Sequence, residues 1–431
     1  AGVVICFLVG TAAYAAVVFD GRTLSTFTRT LGVEGLDTIS THGPPSDEYR
    51  LDLGASAWQF EPWVEVTNAA LLSAEIPLWN PHQGAGSPLA ANMQSAVFDP
   101  LLLTVNLHPT PLMWDVALLG AFLLGAMIMY AYVRVLGLGV VGAVVSSVAF
   151  SLNGFFFLHN NNHIIRTNLY LPALCLFIEL VLRSPKFAPV VGLALSIAGA
   201  ILVGFPEASV VVIGVATLYA IIRVVQSRRS LNAPAKLIRL GTAMMLGVAL
   251  VAPLLFLLLE YIPLSFNVHM PGDGRGVASQ AIRTTLALVI PFFNGPPPAN
   301  SLGTGWSGTR GWLGAGVVSL ALVGLSGGRA TWRRFHTSTF LIIGLLVSLK
   351  LYDFRVLEWV GRLPALEIVD FTANALPALA FMASVLAGIG IEVLQRHDVD
   401  FRLLALWTVV AIVAFGLLIT QEINRAYIEA T

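Results

Sequence analysis

Charge is scarce in this chain: only 11% of its 431 residues are Asp, Glu, Lys or Arg, against roughly 25% in soluble domains. That shortage, together with 56% hydrophobic residues and a mean hydropathy of +0.80, excludes an ordinary water-soluble protein. Cysteine is nearly missing. The two present, Cys6 and Cys175, both fall inside apolar runs, so the sequence offers neither a disulfide framework nor a zinc site and leaves the redox compartment unassigned. Neither sign of charge is in excess, with 24 basic and 24 acidic residues. In a membrane protein the distribution of charge between the two sides carries the information instead, and no nucleic-acid partner is expected. There is no internal repeat and no separable soluble domain. Residues 2–19 are followed by no A-x-A-like cleavage site, so they read as a retained span rather than a signal peptide. The chain opens at Ala1 within that span, without an initiator Met or basic leader, and is expected to be incomplete at both ends.

What the sequence has in abundance is long apolar runs. A helix needs about 20 apolar residues to cross the hydrocarbon core, and that window places spans near 2–19, 111–136, 139–158, 167–183, 187–204, 207–225, 237–261, 311–328, 335–351, 374–395 and 402–420. The fold class expected is an all-α polytopic membrane protein, a single bundle of about eleven helices. Short loops on one side carry Arg134, Arg183, Lys186, Arg223, Arg239, Arg329 and Arg396, while the alternate loops 20–110, 159–166, 262–310 and 352–373 are mostly longer and richer in acids. By the positive-inside rule the basic loops are cytoplasmic and the others face outward. Irregular backbone is costly in lipid, so the long loops must fold at the membrane surface or into a cavity.

The first of these loops is the richest in chemistry. Over 55–75, Trp58, Pro62, Trp63, Val66, Ala69, Ala70 and Leu72 recur at roughly helical spacing with Glu61, Glu65 and Asn68 on another side, the pattern of an amphipathic helix lying along the surface. A second interfacial helix is expected over 98–107. Between them Trp79, Asn80, Pro81, Gly84, Gly86, Pro88, Asn92 and Gln94 crowd together, too many backbone-shaping residues for a mere connection. Asp52 is a candidate base for an acceptor hydroxyl, or else a helix cap; Asp47, Glu48 and Glu61 compete for the role. In HNNNHIIR, 159–166, His159 and His163 stand four apart. No Glu completes a zincin motif and three Asn favour a turn, so these side chains suit a sugar or phosphate better than a metal, with Arg166 supplying charge to an anion. Arg310 is a further candidate for a phosphate, and Asp370 either contacts substrate or caps the helix that follows. Glu207, after Gly204-Phe205-Pro206, suits a helix N-terminus.

The stretch IPLWNPHQGAGSPLAANMQSAVFDP, 76–100, preceded by Asp52, Trp58, Gln59, Pro62 and Trp63, resembles the external loop of bacterial YfhO-like membrane proteins, relatives of the GT-C glycosyltransferases. Weaker similarities follow in order over 153–176, 202–212, 310–325 and 363–392, so the resemblance covers most of the chain. Where that family usually carries a pair of arginines near a membrane entry, this chain has Asp370, Thr372 and Asn374. The resemblance implies a GT-C-like bundle over 1–431 in the bacterial cytoplasmic membrane with its active site facing outward. It also implies transfer of a sugar from a polyprenyl-phosphate carrier to a cell-envelope glycan or lipid acceptor. The family's essential acid maps to Asp52. The substrate residues expected are Glu61, Trp79, Asn80, Asn92, Gln94, His159, His163, Arg166, Arg310 and Asp370. No cofactor is required, although the chemistry is compatible with a divalent cation; beyond membrane lipids, no protein partner is readable. The alternatives are a transporter or flippase of lipid-linked substrates and a non-catalytic assembly partner of the same fold.

Overall fold

The computed structural model describes residues 2–25, 55–227, 233–265, 285–293, 311–352, 354–363, 366–367 and 369–413. Asp47, Glu48, Asp52 and Arg310 lie outside the described residues, as do Arg275 and Arg283. The architecture is helical. Its main elements are α1 (Gly2–Ala13), α2 (Glu61–Leu72), α3 (Pro111–Leu136), α4 (Val140–Ser151), α5 (Tyr170–Arg183), α6 (Ala188–Leu202), α7 (Pro206–Gln226), α8 (Ala233–Tyr261), α9 (Ala315–Leu325), α10 (Arg329–Phe335), α11 (Thr337–Leu351) and α12 (Leu376–Gln395). A last helix, α13, covers Phe401–Val413.

Every expected apolar window contains an apolar helix, but the lengths differ from expectation. Among the described residues five helices are long and apolar enough to cross a membrane: α3, the run Ile165–Arg183, α7, α8 and α12. The pair α10 and α11 makes a sixth only if counted as one span bent by 76°. α1, α4, α6, α9 and α13 are shorter; twelve residues, as in α4, extend only about 18 Å against a core of roughly 30 Å. Local chemistry accounts for the ends. In α3, Thr110 caps by accepting from Met113 N at 3.3 Å, Pro111 occupies the first turn, and Gly137 closes the helix in the left-handed region at φ 101°, the favoured order of such residues. The window 139–158 is split because Asn153 accepts from both Phe155 N and Phe156 N and starts a new short helix, Gly154–Leu158.

The helices pack through small residues. α12 is held between α4 and α9, and its glycines face both. A Cβ on Gly388 would lie 2.7 Å from the Gly142 carbonyl of α4, and one on Gly390 would lie 2.1 Å from the Leu320 carbonyl of α9. In lipid, where burial gives helices little drive to associate, such backbone contact is what holds them. Gly390→Leu is therefore expected to part α9 from α12 and to cost about 1–3 kcal/mol by overpacking. Thermal unfolding in lipid nanodiscs checks this, with Gly316→Leu on α9 as control, since nothing lies within 4 Å of a Cβ there.

At the end of the bundle opposite the basic loops, the first long loop folds back on the helices. α2 is preceded by a wide turn, Ala55–Phe60, and followed by a hairpin of β1 (Trp79–Asn80) and β2 (Ser87–Pro88), antiparallel with Trp79 opposite Pro88. Gly86, at φ +103°, lies against the Trp79 ring, with room for no Cβ: the indole Nε1 would be 2.5 Å away. A short helix, Leu103–Leu107, is tied to α2 by Asn68 Nδ2, which donates to the carbonyls of Asn106 and Leu107 at 2.9 and 3.0 Å.

Candidate functional site

Beneath that loop lies a buried ion pair. Asp99 and Arg166 bond through Oδ2 and an Nη, both side chains wholly enclosed. Arg166 Nε also donates to the His163 carbonyl at 3.0 Å, and Asp99 Oδ1 accepts from Leu101 N at 2.9 Å. Arg166 belongs to a tight 3-10 helix, His163–Leu169, whose three-residue period puts His163 and Arg166 on one face. Charges buried this completely must be paired.

His163 is held between two aromatic rings, Phe60 edge-on at 4.5 Å and Trp114 at 5.9 Å between centroids. Burial first, and then the Arg166 charge, hold its imidazole well below the usual histidine range, so the ring is neutral at physiological pH. Several buried polar atoms here have no close hydrogen-bond partner among the described residues: Arg166 Nη1, Thr167 Oγ1, Asn168 Oδ1 and Trp114 Nε1; His163 faces the Gln94 backbone. Buried donors and acceptors are nearly always satisfied by protein, water or ligand.

The turn Met93–Ser95 links this region to α7. Gly204, at φ +90°, lies so close to the turn that a Cβ would be 2.0 Å from the Met93 carbonyl. Three residues on, Glu207 Oε2 accepts from Asp370 N at 3.1 Å and from Asn374 Nδ2 at 3.2 Å. It therefore joins α7 to the segment before α12. Lys350, near the end of α11 and only 5% exposed, stands over the Phe371 ring at 4.9 Å. The first loop, the 3-10 helix, α7, the end of α11 and the 370–374 segment thus bring three carboxylates (Asp99, Glu207 and Asp370), Arg166, Lys350 and His163 to one end of the bundle.

The other expected residues are distributed as follows. Glu61 does not share the polar side of α2 with Glu65: it is buried and accepts from Ser25 Oγ at 3.1 Å, because the chain after α1 returns there and is pinned by Asp115, which accepts from Leu24 N at 2.7 Å. Trp79 is 54% exposed, beside exposed Leu72, Ile76 and Leu78. Asn80 and Asn92 shape turns, their Oδ1 atoms accepting from His82 N and Ser95 N. Gln94 sits half-buried in the turn against Gly204. His159 Nδ1 donates to the Phe155 carbonyl of its own helix at 2.9 Å, so the two histidines are used differently. Among the described residues no group of three or more His, Cys, Asp or Glu is placed to hold a metal.

Asp99 and Lys350 were not singled out by sequence reasoning. A signal existed for each: an acid in AVFDP amid residues that bury, and a lone lysine inside an apolar window, both of which demand partners. A second buried charge cluster lies at the basic end. Its centre, Glu179, is fully buried. It accepts from Tyr219 Oη at 2.7 Å, Arg223 Nε at 2.5 Å and Arg183 Nε at 3.0 Å. Arg223 continues to His336 Nδ1, 3.0 Å away at the break between α10 and α11.

Comparison of the chain with protein-family models, with curated proteins and with solved structures finds no match.

Proposed function

We propose that the protein is a membrane glycosyltransferase that takes a sugar from a polyprenyl-phosphate carrier at the extracytoplasmic face of a bacterial cytoplasmic membrane. On this reading the end bearing the first long loop faces outward, as the charge bias of the loops implies. One observation carries the reading: polar atoms of Arg166, Thr167 and Asn168 without a partner among the described residues gather, beside His163, under a loop folded onto the helix ends. A lipid-linked sugar keeps its tail in the bilayer and its phosphate at the interface, which is where such donors are useful. Exposed Leu72, Ile76, Leu78 and Trp79 suit contact with the bilayer surface.

In the reaction an acceptor hydroxyl attacks the anomeric carbon, the bond from that carbon to the phosphate oxygen breaks, and the polyprenyl phosphate leaves with its electron pair. The hydroxyl proton passes to a carboxylate, for which Asp52 is the candidate, and the anomeric centre inverts. Arg166 and His163 stand for the phosphate, with Glu207, Asp370 and the loop residues near the sugar. The acceptor is a cell-envelope glycan or lipid. No metal is needed for this balance, and a divalent cation is compatible with it.

The test uses the full chain in proteoliposomes with a polyprenyl-phosphate sugar and an envelope acceptor. Asp52→Ala is expected to lower transfer by about 10²–10⁴-fold, the usual contribution of a positioned base. Unchanged transfer removes Asp52 from the mechanism. A wild-type chain that neither binds nor turns over the lipid favours the assembly-partner reading. A transporter reading has less to draw on: the helix broken by 76° at His336 lies at the basic end, whereas transporters bind at interrupted helices near the midplane. Movement of the lipid-linked sugar across the bilayer without transfer would select it.

A further inference from the structure

At the basic end, α8 rests on α6, where a Cβ on Gly247 would be 2.8 Å from Ile197 Cβ, and stands apart from α7. The gap is a groove of about 240 Å³ whose walls include Ile178 of α5, Ile197 of α6, Ala216 and Ala220 of α7, and Leu240 and Met244 of α8. It offers no polar group to a guest: the only hydroxyl in its lining, Thr217 Oγ1, donates to the Ile213 carbonyl of its own helix at 2.8 Å. On α7 the lining runs from Ile213 to Val224, roughly 16 Å along the helix axis. That is close to the hydrocarbon depth of one leaflet, half of about 30 Å.

The mouth of the groove is cationic. Lys236, Leu240 and Met244 recur every four residues and so lie along one face of α8, with Lys236 at its basic end. Arg239 donates to the Val181 carbonyl at 3.0 Å and to the Lys186 carbonyl at 2.7 Å, which draws the Lys186 segment against the first turns of α8. Arg183, next on α5, is paired with Glu179 at 2.9 Å, and Glu179 is otherwise turned inward onto Tyr219 and Arg223, so no acid faces Lys236 from this stretch of α5.

We infer that this groove binds one acyl chain of an anionic glycerophospholipid, whose headgroup meets Lys236, Lys186 and Arg239 at the mouth. The length suits a chain lying along the membrane normal, and the charge suits a phosphodiester with no compensating amine. The inference is independent of sugar transfer.

The experiment incorporates the full chain into nanodiscs of equal phosphatidylglycerol and phosphatidylcholine, extracts it into mild detergent and counts retained lipids by native mass spectrometry. The wild type is expected to retain phosphatidylglycerol preferentially. Lys236→Glu reverses one of the mouth charges and is expected to reduce that preference roughly tenfold, while Lys236→Arg keeps it. Ala220→Phe and, from the facing wall, Met244→Trp are expected to abolish retention of the lipid while the protein stays monodisperse. Equal retention of the two lipids by the wild type overturns the headgroup assignment, as does an unchanged preference in Lys236→Glu. Full retention in both filled variants overturns the groove itself.

Discussion

Arg166→Met is expected to lower stability by about 3–5 kcal/mol, the usual result of stranding one member of a buried ion pair. The Asp99 carboxylate is wholly enclosed and would remain so with no cation beside it. The loss is expected to include the loop as well as the pair, since Arg166 Nε also holds the His163 carbonyl and His163 packs against Phe60 at the foot of α2. The check is the unfolding midpoint in nanodiscs of Arg166→Met, Asp99→Asn and the double variant. Much of the loss should return in the double variant, because no lone charge is then buried. A single variant that unfolds like the wild type would show that the pair does not anchor the loop.

Gly204→Ala should have the next largest effect, and it should be local. At φ +90° an L-residue is disfavoured by roughly 1–2 kcal/mol before any contact is considered. Here the added methyl would also meet the Met93 carbonyl at 2.0 Å, backbone rather than a side chain that can turn aside. The turn must lift from α7. In a Gln94→Cys background, labelling by a membrane-impermeant maleimide is expected to be faster with Gly204→Ala than without it, and transfer activity to fall if the proposed function holds. Equal labelling rates would mean that the turn does not rest on Gly204.

How much of this was legible in the sequence depended on whether the deciding interaction was local. Apolar windows found each helix of the bundle because twenty residues of hydrocarbon preference sum within one segment. They overestimated lengths where a polar residue restarts the chain, as Asn153 does inside 139–158. Glycines and prolines marked 79–94 as a shaped loop, but the β-hairpin inside it was not foreseen. Nor was the orientation of α2: helical spacing grouped Glu61 with Glu65 and Asn68, but Ser25, from a segment far earlier in the chain, buries it. Asp99 stayed hidden for the same reason, since its cation lies 67 residues away. His163 and Arg166 were visible as a polar island in an apolar sequence, whereas their enclosure by Phe60 and Trp114 was not.

The position of α12 between α4 and α9 bears on how the chain is made. Gly139, at the start of α4, donates its backbone N–H to Glu392 of α12, 253 residues later, and the glycines of both helices touch. Until the ribosome has delivered α12, the small-residue faces of α4 and α9 have no partner to close against. Biogenesis therefore passes through a stage in which most of the helices are inserted but the middle of the bundle is open.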